Sequence, residues 1–316
     1  MRLDVSRTLL ASAILALSIL SCREAAFAGG KLIATGGLTE LEGAGGGAIV
    51  PWALIGGTET RDEVGGTAAY THLQLTDYTF DAAGVLIGIN DRLELSYHRQ
   101  SLGISNSVTT PIAAGLKLPL GTLDGTRINQ DVFGAKLKLF GDAVFGPQHS
   151  ILPQVSLGVQ HKANTDFNVV PATLGAKHAS GTDFYLAFTK LVLAGAGGYN
   201  FLVNGTVRET KANALGLLGF GGDKNDTYQP QFEASAAVFL NPKTAFGGEY
   251  RTTPDNLSST KSDPYKDVFV TWFPNKSLSL LLAYANLGNL PAGFSAAGIT
   301  KENGSGIYFT ATTNFP

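Results

Sequence analysis

Apolar and polar residues alternate along many short segments of this chain. In the segment 92–100, Leu93, Leu95 and Tyr97 fall on one face, and five polar side chains fall on the other. An alternation with a period of two predicts an extended strand. A strand in a soluble core does not normally hide five polar side chains on one face, whereas a strand between lipid and a wet lumen does. The pattern therefore predicts a membrane-spanning β-strand.

The same alternation recurs along the chain and predicts twelve strands. Their predicted ranges are 65–76, 79–89, 92–102, 129–141, 150–162, 182–193, 199–211, 228–240, 243–253, 264–273, 277–287 and 305–315. Short turns rich in Asn, Gly, Pro and Asp alternate with longer connections such as 103–128, 212–227 and 288–304, apart from one short link at 76–78. This asymmetry is typical of bacterial outer-membrane barrels. The predicted fold is all-β, a transmembrane antiparallel up-and-down β-barrel over residues 65–316.

Residues 29–64 support two interpretations. This segment is rich in glycine, contains Pro51 and Trp52, and groups its apolar residues in blocks. Proline is tolerated in a strand only at an edge or a bulge, and glycine weakens a strand. The segment is therefore either a plug inside a twelve-stranded barrel or an extra hairpin that makes fourteen strands. The glycine content favours the plug.

The N-terminus and the composition indicate export. Arg2 and Arg7 precede an apolar stretch at 9–20, and Ala26-Phe27-Ala28 provides a small-x-small cleavage site, so residues 1–28 are interpreted as a cleaved signal peptide. Acylation at Cys22 is the alternative to cleavage after Ala28. Only 15% of the residues are charged, against about 25% in an average soluble domain. We expect the barrel in the cell outer membrane.

Charged and polar side chains recur on the polar face of the predicted strands, where they would line the lumen. These residues are Arg92, Glu94, His98, Lys136, Lys138, Arg208, Glu233, Glu249, Arg251 and Asp267. One interpretation is a charged pore that filters polar solutes. The other is a set of cross-strand ion pairs that fill a closed lumen, because a barrel of this size need not conduct.

The sequence offers no catalytic, cofactor-binding or metal site. The only cysteine is Cys22, and no two histidines have the local spacing of a zinc pair. The glycine run 43–48 meets a loose dinucleotide-loop spacing, but Pro51 follows it where a helix should begin. His98 shares a face with Ser96, yet that face is the predicted luminal one, which disfavours an outer-membrane enzyme. Basic clusters are missing, which argues against nucleic acid as a partner.

Several motifs of the chain resemble a known protein family. They include the stretches at 90–96, 180–185, 218–223 and 272–276, and the resemblance covers essentially the whole mature chain. The sequence resembles the exported Gram-negative proteins of domain-of-unknown-function family 3034. That resemblance implies an outer-membrane barrel-like protein without an established activity, so it assigns no catalytic or binding residues.

The leading functional hypothesis is a porin-like channel for small solutes. The alternative is a closed structural or surface-interaction barrel without channel activity, whose loops would bind a partner. The expected partners are outer-membrane lipids, the barrel-assembly machinery during insertion and, for a channel, small solutes. The sequence leaves the oligomeric state and the identity of the solute open.

Overall fold

Twelve antiparallel strands close into a barrel, which confirms the predicted fold class and the smaller of the two strand numbers. The computed structural model describes residues 31, 34, 36, 38–115, 117–119, 121–144, 152–168, 170–295 and 298–315. The predicted signal peptide, with both Cys22 and Ala28, lies outside the described residues.

Each barrel strand pairs with its neighbours in sequence, and the last strand pairs with the first. The barrel strands are β3 (Val64–Leu75), β4 (Tyr78–Ile89), β5 (Leu93–Ile104), β6 (Arg127–Phe140), β7 (Gln154–Asn164), β8 (Ser180–Val192), β9 (Asn200–Thr210), β10 (Gln229–Asn241), β11 (Thr244–Arg251), β12 (Tyr265–Trp272), β13 (Leu278–Ser295) and β14 (Gly298–Phe315). Two shorter strands, β1 (Leu38–Thr39) and β2 (Gly45–Gly46), pair with each other in the N-terminal segment.

Side chains along the barrel strands alternate between an apolar outer surface and the interior. Phe232, Val268 and Leu282 are more than half exposed on the outside, whereas Leu281 and Phe269, one residue away from such positions, are buried. A sheet between lipid and a filled interior requires this alternation, because successive side chains point to opposite faces. The outer surface is therefore a belt of apolar side chains.

The connections divide between two rims of the barrel, as strict antiparallel pairing requires. One rim, called the turn rim, carries the starting end of β3, the final end of β14 and the connections 90–92, 141–153, 193–199, 242–243 and 273–277. The other, called the loop rim, carries the link 76–77, the β13–β14 connection and the connections 105–126, 165–179, 211–228 and 252–264. Helix α1 (Asn106–Gly115) lies in one of these loops. No helix in the described part of the chain is long and apolar enough to cross a membrane.

The predicted loop 288–304 is wrong. The structure instead continues β13 to Ser295 and starts β14 at Gly298, which makes the longest hairpin of the barrel. Two register shifts interrupt its pairing, between Asn286 and Asn289 and between Pro291 and Gly293. This stretch contains Gly288, Pro291 and Gly293, residues that are typical of a loop. The two register shifts fall at these residues, and strand pairing resumes beyond each of them.

Candidate functional site

The N-terminal segment 38–57 occupies the interior of the barrel, and we call it the plug. All of its residues are buried. Trp52 is 6% exposed, and its indole N–H donates a hydrogen bond to Ser235 Oγ at 3.0 Å. Within the described chain, the plug forms strand pairs only with itself, between β1 and β2 and at one isolated bridge. Side chains of the barrel wall therefore hold the plug in place.

Glu94 and Lys136 form an ion pair that fastens the plug at two separate points. The Glu94 carboxylate lies 2.9 Å from Lys136 Nζ and accepts hydrogen bonds from the backbone N–H groups of Gly45 and Gly56 at 3.0 and 2.8 Å. Lys136 Nζ in turn donates to the carbonyl oxygens of Gly45 at 2.9 Å and Trp52 at 3.1 Å. One wall ion pair thus satisfies buried donors and acceptors of the plug backbone.

Glu249 fastens the plug from the opposite part of the wall. Its Oε2 accepts hydrogen bonds from the N–H groups of Ala48 and Ile49 at 2.8 and 2.6 Å, and Ser235 Oγ donates to its Oε1 at 2.6 Å. A Cβ atom at Gly47 would lie only 2.0 Å from Glu249 Oε1. The carboxylate reaches the backbone because residue 47 has no side chain.

Glu42 is the plug carboxylate that meets a cluster of wall cations. Its carboxylate oxygens pair with Lys162 Nζ, with Arg251 Nη1 at 2.7 Å and with Arg208 Nη2 at 3.6 Å. Burial by itself raises the pKa of Glu42, but Arg251, Lys162 and Arg208 together outweigh burial and hold that pKa well below its usual range. Glu42 is therefore ionised wherever the plug is docked at ordinary pH.

Two carboxylates of the wall complete the neutralisation of these cations. Asp183 lies 2.6 Å from Lys162 Nζ, and Glu233 lies 2.5 Å from Arg208 Nε and 3.3 Å from Arg251 Nε. Charges of both signs alternate through the cluster, and every member of it is almost fully buried. Buried charges persist in proteins when they are paired in this way.

The structure places eight of the ten predicted lumen residues in the barrel interior. They are Glu94, His98, Lys136, Arg208, Glu233, Glu249, Arg251 and Asp267. Lys138 lies at the turn rim, where its Nζ pairs with Asp91 at 2.8 Å. His98 Nδ1 and both carboxylate oxygens of Asp267 are buried and have no hydrogen-bond partner among the described residues.

Arg92 requires a correction, because it is exposed in the turn between β4 and β5 rather than in the lumen. β5 begins one residue later, at Leu93. Asn90 and Asp91 adopt φ values of 56° and 48°, and this left-handed turn leaves Arg92 at the turn rim, where its carbonyl oxygen accepts a hydrogen bond from the N–H of Lys138 at 2.8 Å. The alternation of residue types continues one position beyond the strand and does not mark its end.

Sequence reasoning missed the partners that complete the charge cluster. Lys162 and Asp183 lie at inward-facing positions of β7 and β8. The alternation of residue types in those strands could therefore have identified them as lumen residues. Glu42 has no such signal, because it belongs to an irregular segment and lies 120 residues from Lys162 in sequence. In the described part of the chain, no group of three or more His, Cys, Asp or Glu side chains could hold a metal ion.

An apolar cavity lies on each side of the plug. The first, called the loop-rim cavity, has a volume of about 150 Å³ and is lined by Leu41 of the plug, by wall residues and by residues of α1 and the loops. The second has a volume of about 310 Å³ and lies at the turn rim, against Leu54, Leu202 and Phe239. The charged plug layer therefore separates two apolar spaces within one barrel.

Comparison with known proteins identifies a family. The profile of the family described as "Protein of unknown function (DUF3034)" matches residues 35–312. No curated protein matches the chain. Among solved structures, the KdgM porin has a TM-score of 0.44 at 8% identity, over 79% of this chain and 98% of that chain.

Two further solved structures are similar at the same low level. An outer-membrane channel from Pseudomonas putida F1 has a TM-score of 0.43 at 9% identity, over 84% of this chain and 96% of its own. Outer membrane phospholipase A from Escherichia coli has a TM-score of 0.37 at 9% identity, over 79% of this chain and 92% of its own. At these scores the likeness carries no argument about function.

Proposed function

The chain belongs to the DUF3034 family of proteins of unknown function, and from that premise we propose that it is a gated outer-membrane channel for small solutes. In this proposal, the described conformation is the closed state. Displacement of the plug opens the lumen. The exported-protein features of the N-terminus and the apolar outer belt of the barrel support the location in the outer membrane.

The observation that carries this proposal is the way the plug is held. The twelve wall strands close on one another without it, so its removal breaks no hydrogen-bond ladder of the barrel. Its attachments are hydrogen bonds and ion pairs to the side chains of wall residues such as Glu94, Glu249 and Arg251. These contacts exchange for contacts with water when the plug leaves, whereas strand pairs exposed to lipid have no such replacement.

A displaced plug would leave a hydrated lumen lined by charges of both signs. Lys162 would remain paired with Asp183, and Arg208 and Arg251 with Glu233, because these ion pairs join wall strands and do not involve the plug. Rings of charged side chains are what polar pores use to admit small solutes. The same residues thus serve as plug anchors in the closed state and as the pore lining in the open state.

A specific observation also favours the second candidate, a closed structural barrel. The charge cluster around Glu42 is fully buried and paired, so it fills the lumen as a static core would. Removing one member of such a pair costs about 3–5 kcal/mol, because the remaining charge stays buried. The two candidates differ in whether the plug can leave while the barrel persists.

Single-channel recording in planar bilayers separates the two candidates. We expect the variant lacking residues 29–57 to give stable conductance steps, and the full chain to be mostly closed. The matched point variants are Glu42→Gln, which weakens the plug anchor, and Glu209→Gln, which removes an exposed carboxylate from the outside of β9. We expect frequent openings for the first and wild-type behaviour for the second.

The shift of band position on heating before electrophoresis shows whether each variant still forms a barrel. A folded, inserted deletion variant that passes no current would overturn the channel and favour the closed structural barrel.

A further inference from the structure

We propose that the loop-rim cavity is a binding site for an uncharged, benzene-sized aromatic molecule that carries one hydrogen-bonding oxygen. This inference deepens the proposed channel function by naming a class of substrate, and the identification of the ligand as a substrate rests on that function. Binding itself does not depend on conduction. The inference starts from the shape and the chemistry of the cavity.

The cavity wall is almost entirely aliphatic and aromatic. It is formed by Leu41 of the plug, Phe80 and Leu102 of the wall, Ile112 of α1 and Leu215 of the loop between β9 and β10. Of all the residues that line it, none is charged. Burying an unpaired charge in such surroundings is costly, so the cavity excludes ions and favours uncharged ligands.

The cavity is the right size for a single ring. Its volume is about 150 Å³, and a protein cavity of about 150 Å³ lined by Leu, Ile and Phe side chains stays dry and takes up benzene. A sugar would fit poorly, because its several hydroxyl groups would lose their hydrogen bonds to water without finding partners. Volume and lining together select a small apolar ring.

Thr109 of α1 supplies a buried, unpaired hydroxyl group to the lining of this cavity. Its side chain is 2% exposed, and its Oγ1 has no hydrogen-bond partner among the described residues. The neighbouring hydroxyl groups of Ser259 and Tyr78 are already used, because they donate to the carbonyl oxygens of Leu174 and Pro291. A buried unpaired hydroxyl is rare and calls for an explanation.

A ligand oxygen beside Thr109 provides that explanation. A threonine hydroxyl both donates and accepts, so it pairs with a phenolic hydroxyl or with an aromatic carbonyl oxygen. Val108 and Ile112 line the same cavity from α1, one on either side of Thr109 in sequence. The helix therefore presents one hydrogen-bonding group within an apolar surface, which is the usual construction of a site that orients a small molecule.

The test uses the full chain in lipid nanodiscs and two probes of equal size, 4-fluorophenol and 4-fluorotoluene. Their binding is measured by ¹⁹F NMR, and partition into empty nanodiscs is subtracted. We expect both probes to bind. We expect Thr109→Val to weaken 4-fluorophenol binding about threefold to tenfold, the effect of one lost hydrogen bond, and to leave 4-fluorotoluene within twofold.

A cavity-filling variant locates the binding site. We expect Ile112→Trp to abolish the binding of both probes, and the matched control Val270→Trp, on the exposed outer surface of β12, to leave both unchanged. Each variant is first shown to be a folded barrel by its shift on heating. Unchanged binding in a folded Ile112→Trp variant would overturn the site, and so would equal weakening of both probes by Thr109→Val.

The outcome for the channel is separate from the outcome for the site. Probe binding that responds to Thr109→Val and Ile112→Trp establishes the site even where the deletion of residues 29–57 yields no current. The opposite result is a deletion variant that conducts while neither cavity variant changes probe binding. That result would support the proposed channel and would overturn the proposed aromatic-binding site.

Discussion

At the scale of single residues, the close approach of wall side chains explains three glycines of the plug, Gly43, Gly45 and Gly47. Gly43 has a φ of 101°, and a Cβ atom there would lie 2.4 Å from His98 Nδ1. At Gly45, an added Cβ would lie 2.9 Å from Glu94 Oε2. The wall carboxylates reach the N–H groups of the plug because these positions have no side chains. Glycine here permits tight docking in a narrow lumen.

Gly47→Ala tests this interpretation. The new Cβ would lie 2.0 Å from Glu249 Oε1, so we expect plug docking to weaken by about 1–3 kcal/mol, the usual cost of overpacking. The chain has only two tryptophans, so Trp272→Phe leaves Trp52 as the sole indole reporter. We expect Gly47→Ala in that background to increase acrylamide quenching of Trp52.

The matched control is Gly205→Ala in β9, where an added Cβ meets nothing within 4 Å. We expect its quenching to equal that of the parent variant. Equal quenching in Gly47→Ala as well would show that the plug tolerates a side chain at this position and would contradict the tight docking described above.

At the scale of elements, the plug contains a carboxyl group whose protonation is linked to docking. Burial, with the charge of Glu42 beside it, raises the pKa of Glu40 from 4.5 to about 8 in the docked plug. The Glu40 carboxyl accepts hydrogen bonds from the N–H groups of Glu42 and Ala44 at 2.7 and 3.1 Å and from Gln160 Nε2 at 3.2 Å. In the docked state, the protonated form is therefore favoured up to about pH 8.

The sign of the pH dependence follows from linkage. A carboxyl with a raised pKa contributes stability that is fully present below its unperturbed value, 4.5, and is lost as the pH rises through about 8. We therefore expect quenching of Trp52 by acrylamide to increase between pH 6 and pH 9, and Glu40→Gln to flatten this dependence. A pH profile that Glu40→Gln leaves unchanged would assign the effect to another group.

The strand phase of β13 gives a second prediction at this scale. Leu280 faces outward beside Trp272 of β12, on the same face as the exposed Leu282. Leu280→Arg should lower the free energy of unfolding in lipid vesicles by about 2–4 kcal/mol if the residue lies near the bilayer midplane. Thr110→Arg, an exposed change in α1, is the control and should leave that free energy unchanged. A neutral effect of Leu280→Arg would contradict the lipid-facing phase.

At the scale of the whole molecule, local patterns predicted the wall well and its contents poorly. The strand predicted at 199–211 is β9, Asn200–Thr210, because alternation is a property of neighbouring residues. The sequence did not predict the loop-rim end of the β13–β14 hairpin. Its local composition is typical of a loop, but the two strands continue to pair beyond two register shifts. Arg208 could be placed on a polar face, but its partner Glu42 could not be identified, because nothing local joins an irregular segment to a distant strand.

The arrangement of the two rims makes a prediction about orientation in the membrane. Four of the six loop-rim connections have 13 to 22 residues, whereas four of the five turn-rim connections have two to seven, and both ends of the barrel lie at the turn rim. Outer-membrane barrels place their short turns in the periplasm and their longer loops outside. A protease site inserted in the connection 117–122 should therefore be cleaved on intact cells, whereas the same site inserted at 274–276 should be cleaved only after lysis.

The insertions can be made beside exposed residues, Gly121 and Thr122 in the first connection and Asn275 and Lys276 in the second. Steric protection by the fold then affects neither site, and lysis provides the internal control for access. Cleavage at 274–276 on intact cells would reverse the orientation. The loop-rim cavity would then open toward the periplasm, and a small aromatic molecule would meet Thr109 from the inside of the cell envelope and reach the plug from that side.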